Sequence, residues 1–82
     1  MEKETTENKK TKVITISDIS SDNLLNVLIM AMSMESMIRL RYVDYTENQW
    51  TPPRKVVSKL VDEITHDQSI CQIEVIHNPK YL

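Results

Sequence analysis

The sequence predicts a small α/β protein with two layers, in which strands and helices alternate as βαβαβ. Three observations predict this class: short stretches with period-two alternation, two longer stretches with helical spacing, and a length of 82 residues. That length holds one domain. Helices between strands predict right-handed crossovers. We therefore expect one α/β domain over residues 12–82, after a charged tail over residues 1–11.

The tail is predicted to be disordered because MEKETTENKKTK contains no apolar core. It has the composition of neither a signal peptide nor a membrane span. The longest apolar stretch, from Leu24 to Met34, is shorter than the roughly 20 residues that cross a bilayer. The chain has a single cysteine, Cys71. These features predict an intracellular protein, cytoplasmic or nuclear or nucleoid-associated, that does not contact a membrane.

The first strand is predicted over residues 12–16, KVITI, with Ile14 and Ile16 facing inward. Ser20 or Ser21 follows as an N-cap, since a serine hydroxyl accepts from an unpaired amide of the first turn. A helix is then expected over residues 22–36.

This first helix is apolar on nearly every side. A single sheet cannot cover all of it in so small a chain. One interpretation is a dimer interface that includes Leu25, Ile29 and Met32, in a homodimer or a heterodimer. The other is burial between the sheet and the second helix, and the sequence leaves both open.

The second strand is predicted over residues 37–45. Ile38, Leu40 and Tyr42 alternate with polar positions, which places Arg39 and Arg41 together on the opposite face.

A loop carrying Trp50 follows, and the second helix is predicted over residues 52–66. Thr51 would be its N-cap and Pro52 its first residue, where a missing amide hydrogen does no harm. Lys59 and Glu63 are expected to pair across one helical turn. The last strand is predicted over residues 69–77, with Cys71 on its inner face as a small apolar residue beside Ile73 and Val75.

Little in the sequence points to catalysis. The chain has no glycine, which excludes the usual phosphate-binding loops and nucleophile elbows. His66 and His77 lack metal-site spacing, and one cysteine cannot build a structural zinc site. We expect no enzymatic activity, no metal, no cofactor and no small-molecule substrate.

The feature that points to a ligand is a basic segment in the middle of a chain whose net charge is −2. Its five cations can contact phosphates, and Trp50 can either stack on an unpaired base or pack against the core. The alternative is that the cations form salt bridges with the acidic C-terminal third. The predicted nucleic-acid-binding residues are Arg39, Arg41, Trp50, Arg54, Lys55 and Lys59.

The order of elements resembles the Alba family of small dimeric DNA- and RNA-binding proteins. The likeness rests on KVITI, DNLLNVLIMAMSM, MIRLRYV, RKVVSKLVDEI and CQIEVI, in the family's order within residues 12–77. Ser17 and Asp18 stand where the family carries lysines and glycine. By position, the resemblance implies nucleic-acid contacts only at Arg41, Arg54 and Lys55.

Two functions follow from the sequence. The first is a non-enzymatic protein that binds RNA or DNA with little sequence preference, as a dimer or as a subunit of a ribonucleoprotein. The second is a protein-interaction module, such as an adaptor, an assembly subunit or an inhibitor, that binds no nucleic acid. The nearly balanced charge of the chain favours the second.

Overall fold

The computed structural model describes residues 10–81, which form one four-stranded sheet and two helices. Two single 3-10 turns, Ile16–Asp18 and Pro79–Tyr81, follow the first and last strands. In chain order, the elements are β1 (Thr11–Thr15), α1 (Ser21–Ser33), β2 (Met37–Tyr42), β3 (Arg54–Lys55), α2 (Ser58–His66) and β4 (Ile70–Ile76).

The sheet has the order β1-β4-β2-β3, and all neighbouring strands are antiparallel. It follows that β1 and β2 run in the same direction with β4 between them, while β3 and β4 run in the same direction with β2 between them. The chain therefore builds two interleaved crossovers, one through α1 and one through α2. The α/β class is confirmed, but the predicted three-strand order lacked β3.

Both helices cover the same face of the sheet, because their buried residues form one cluster with every second residue of the strands. Leu28, Ile38, Leu40, Leu60 and Ile73 are fully buried. The core consists of Ile14, Leu24, Leu28, Ala31, Ile38, Leu40, Val56, Leu60, Val61, Ile64, Ile70, Ile73 and Val75.

The first half of the chain follows the sequence pattern closely. The Ser20 hydroxyl accepts a hydrogen bond from the Asn23 amide at 3.2 Å, which confirms it as the N-cap of α1. Ile14 is buried as predicted, whereas Ile16 lies beyond β1 and is only partly buried against the core. The helix ends at Ser33 rather than residue 36, because Glu35 leaves the helical region with φ 56°.

β2 ends at Tyr42 rather than at residue 45 because the chain turns there, and the Tyr45 amide donates to the Tyr42 carbonyl at 3.0 Å. An irregularity between Arg41 and Tyr42 also shifts the pairing of β2 with β4. After this shift Tyr42 lies opposite Ile70, which is buried in the core. Cys71 is half-buried, and its thiol donates to the Arg41 carbonyl at 3.4 Å.

The predicted start of the second helix at residue 52 is wrong, since α2 begins at Ser58 with Val57 as its N-cap. Pro53 disfavours the helical conformation for the residue before it, so Pro52 cannot open a helix here. The chain instead stays extended, pairs β3 with β2, and buries Val56.

The predicted disordered tail lies outside the described residues except for Lys10 and Thr11, and Thr11 is the first residue of β1. Within residues 10–81, neither helix has the length and apolar character needed to cross a membrane.

Candidate nucleic-acid interface

The sheet face opposite the helices is covered by neither α1 nor α2, and we call it the open face. Strand register assigns its residues, because side chains alternate between faces and paired residues share one. Each member is half-buried or exposed. The open face consists of Thr11, Val13, Thr15, Met37, Arg39, Arg41, Lys55, Gln72, Glu74 and Ile76.

Arg39 is held in place on the open face by three neighbours. Its Nη1 donates to Glu74 Oε1 at 3.2 Å, and its Nε approaches the Thr51 carbonyl at 3.4 Å. The guanidinium also lies 5.7 Å from the centroid of the Trp50 ring, within cation–π range. The side chain keeps 36% of its surface exposed, so a further anion can still reach it.

Arg41 is fixed by neutral partners. Its guanidinium donates to Gln72 Oε1 and, at 3.2 Å, to the Thr46 carbonyl. Gln72 in turn donates to the Thr15 hydroxyl at 3.0 Å, so a hydrogen-bonded row crosses β2, β4 and β1. Within residues 10–81 no carboxylate pairs with Arg41. Its positive charge therefore remains available to a ligand.

Trp50 reaches the open face because its loop runs beside β2. The Thr51 amide donates to the Leu40 carbonyl at 2.9 Å, and the Leu40 amide donates to the Thr51 hydroxyl at 2.8 Å. This pair of hydrogen bonds fastens the loop to β2, and the Trp50 ring lies beside the Arg39 guanidinium. Trp50 is half-buried and lies against Arg39, so part of its ring stays accessible.

Lys55 completes the cationic part of the open face, since it pairs with Met37 at the β3 edge. The strand residues of this face carry three positive charges and one negative charge, that of Glu74. The result is a locally positive surface on a chain of negative net charge.

The other two predicted cations lie elsewhere. Arg54 faces the helical side, where its Nη2 lies 3.6 Å from Glu63 Oε1. Lys59 is exposed on α2. The prediction paired it with Glu63, but Glu63 forms its salt bridge with Arg54 instead. The five cations therefore do not form one surface, and two of them, Arg39 and Arg54, form the salt bridges considered as the alternative.

Beside Arg54, Tyr42 packs partly against the core, and its hydroxyl donates to Glu63 Oε2 at 3.5 Å. Burial raises the pKa of Tyr42, and the negative charge of Glu63 raises it further. Tyr42 therefore acts as a neutral hydrogen-bond donor on the helical side.

The predicted dimer-interface residues divide between core and surface. Leu25 and Ile29 expose 41% and 48% of their surface, whereas Met32 is half-buried and packs against the core. Val27 also packs against the core, so α1 is covered on one side and exposed on the other.

The structure adds residues that the sequence did not mark. Gln72 and Thr15 support Arg41, and Thr51 positions Trp50. Alternation could have placed Gln72 on the outer face of its strand, but its partner lies 31 positions away in the chain.

Within residues 10–81 no cluster of histidine, cysteine or acidic side chains has the geometry of a metal site. Known protein families, curated proteins and solved structures were compared with the chain, and none of them matches it.

Proposed function

We propose that the protein is a non-enzymatic nucleic-acid-binding protein and that the open face is its contact surface. The observation that carries this proposal is the convergence of Arg39, Arg41, Lys55 and Trp50 on the one sheet face that neither helix covers. Cations beside an aromatic ring are the combination that holds single-stranded nucleic acid: the cations contact phosphates and the ring stacks on a base.

Single-stranded RNA or DNA suits this surface better than a duplex. The Arg39 guanidinium lies near the Trp50 ring. An unpaired base that stacks on this ring would bring its phosphate close to that positive charge. The contacts available are charge and stacking, which predict little sequence preference. The resemblance to the Alba family remains a proposal of its own and points to the same class of ligand.

The proposal is tested by titrating the full chain with single-stranded oligonucleotides and following Trp50 fluorescence, since Trp50 is the chain's one tryptophan. We expect quenching on binding. Arg41→Glu and Lys55→Glu should each weaken binding about tenfold by replacing a phosphate contact with repulsion.

Lys59→Glu is the matched control, because it changes the net charge equally on the helical side of the protein. It should leave binding nearly unchanged. Equal losses in all three variants would mean that net charge, and not the open face, governs binding, and would contradict the proposal.

A second candidate is the protein-interaction module. The observation that favours it is the exposed apolar surface of α1, where Leu25 and Ile29 lie one turn apart. Absence of binding to any oligonucleotide at low salt would leave this function as the better one.

A further inference from the structure

The outer edge of β1 is an unpaired strand edge. β1 is a terminal strand of the sheet, with β4 as its one neighbour among the described residues. It is five residues long, contains no proline and keeps an unbroken register with β4. β3, at the opposite end of the sheet, has two residues and follows Pro52 and Pro53, which protect that edge. The β1 edge has no such protection and can accept another strand.

The strand register shows which backbone groups of β1 point outward. The His77 amide donates to the Lys10 carbonyl at 2.9 Å, and these two residues continue the β1–β4 register. Hydrogen-bonded and non-hydrogen-bonded pairs alternate along antiparallel strands, so every second residue counted from Lys10 bonds to β4. The remaining residues of β1 point their amides away from the sheet: Thr11, Val13 and Thr15.

Apolar surface lies on both sides of this edge. On the open face, Val13 is 52% exposed. On the helical side, a mainly apolar groove runs between α1 and β1, lined by Lys12 of the strand and by Met30 of the helix, which is 61% exposed. A strand added at β1 would therefore bury apolar surface on both faces of the sheet.

β1 is complementary to a second copy of itself. A twofold axis at Val13 pairs two antiparallel β1 strands along their full length, with Val13 opposite the partner's Val13. Thr11 then lies opposite the partner's Thr15, and Lys12 lies opposite the partner's Ile14. Valine meets valine and threonine meets threonine, which are favourable cross-strand pairs, and no two like charges lie directly opposite each other.

We propose that the β1 edge pairs with β1 of a second copy of the chain. The twofold axis is perpendicular to the sheet, so the helices of both copies lie on one side and the two open faces become one continuous surface. The outward groups supply about four backbone hydrogen bonds across the new pair.

This contact is separate from the others in the protein. Leu25 and Ile29 of α1 do not line the groove beside β1, and the pairing does not depend on nucleic-acid binding. Because five residue pairs form a small interface, we expect a weak contact with a Kd of about 1 mM.

Disulfide cross-linking of the full chain tests the register. In a Cys71→Ser background, Val13→Cys places two thiols at the twofold axis, where the Cα atoms of opposite residues lie about 5.5 Å apart, within disulfide range. Thr11→Cys is the matched control, because the two copies of residue 11 lie about 14 Å apart in this register. Under mild oxidation we expect Val13→Cys to form a covalent dimer at least about tenfold faster than Thr11→Cys.

Amide NMR of the full chain, from about 0.05 mM to about 2 mM, tests the hydrogen bonds. We expect concentration-dependent shifts at Thr11, Val13 and Thr15. Val13→Pro removes an outward amide and keeps every bond to β4, so it should weaken pairing at least about tenfold, whereas Val13→Thr keeps the amide and should pair normally.

Val13→Lys is a second variant that keeps the amide and places two positive charges opposite each other. It should also weaken pairing at least about tenfold, so the test does not depend on the folding of the proline variant.

Two results would overturn the proposal. The first is cross-linking of Thr11→Cys as fast as that of Val13→Cys, which would show random collision of the chains. The second is the absence of concentration-dependent shifts in β1, or equal shifts in Val13→Lys and the original protein, which would show that the β1 edge stays unpaired.

Discussion

Glu35 adopts a left-handed backbone conformation, with φ 56°, immediately after α1. The Ser36 amide donates to the Ala31 carbonyl and the Glu35 amide to the Met32 carbonyl, which together form a Schellman motif. Glycine is the usual residue at this position because a Cβ atom is unfavourable there. A chain without glycine therefore stores local strain at this helix end.

Replacing Glu35 with glycine should relieve this strain. We expect Glu35→Gly to raise the free energy of unfolding by about 1 kcal/mol relative to Glu35→Ala, which corresponds to about 5 °C in Tm for a chain of this size. Glu35→Ala is the control because it also removes the contacts with Lys80 and Tyr81 but keeps the Cβ atom. Thermal unfolding of both variants measures the difference. Equal stability would show that the helix end is not strained.

Single-residue patterns predicted which side of the sheet each side chain of β2 occupies. Arg39 and Arg41 lie opposite Ile38 and Leu40, as alternation requires. The partners of the two arginines could not be predicted, because Glu74 and Gln72 lie 35 and 31 positions away. Only the strand order brings them together.

At the scale of elements, the extended segment between β2 and α2 positions Trp50 and Lys55 of the candidate site, because it is hydrogen-bonded to β2.

We expect Thr51→Val to leave the Leu40 amide without its acceptor and to lower the free energy of unfolding by about 1–2 kcal/mol. The same change should release Trp50 and weaken oligonucleotide binding. Thr51→Ser keeps the hydroxyl and serves as the control. Denaturant unfolding and Trp50 fluorescence measure the two effects.

The sequence predicted β1, α1, β2 and β4 to within a few residues, because each has a clear period of two or of 3.6. It missed β3, since two residues carry no period. It also placed the start of α2 six residues too early. Thr51 and Pro52 are typical of a helix start, but the residues that follow them pair with β2, and this long-range pairing cannot be seen in the local sequence.

At the scale of the whole molecule, the two faces of the protein have different characters. The open face carries cations and Trp50, while the helical face exposes Leu25 and Ile29. A domain of this size buries only about 60% of the surface that its unfolded chain exposes, so its stability is marginal and a partner chain adds to it. We therefore expect the chain to form a homodimer through α1.

Sedimentation equilibrium tests this expectation. Ile29→Glu should shift the protein from dimer to monomer, because it places a charge in an apolar contact. Val57→Glu is the matched control, since Val57 is 49% exposed and lies outside α1. A monomeric original protein, or equal effects of both variants, would exclude a dimer through this surface.

The claim that the open face binds nucleic acid is tested most directly by the salt dependence of oligonucleotide binding. Three phosphate contacts, at Arg39, Arg41 and Lys55, predict that the logarithm of the binding constant falls with the logarithm of salt concentration with a slope of about −2. The Arg41→Glu, Lys55→Glu double variant should flatten this slope, and Lys59→Glu should preserve it. Absence of binding at low salt, or the same slope in the double variant as in the original protein, would contradict the proposal.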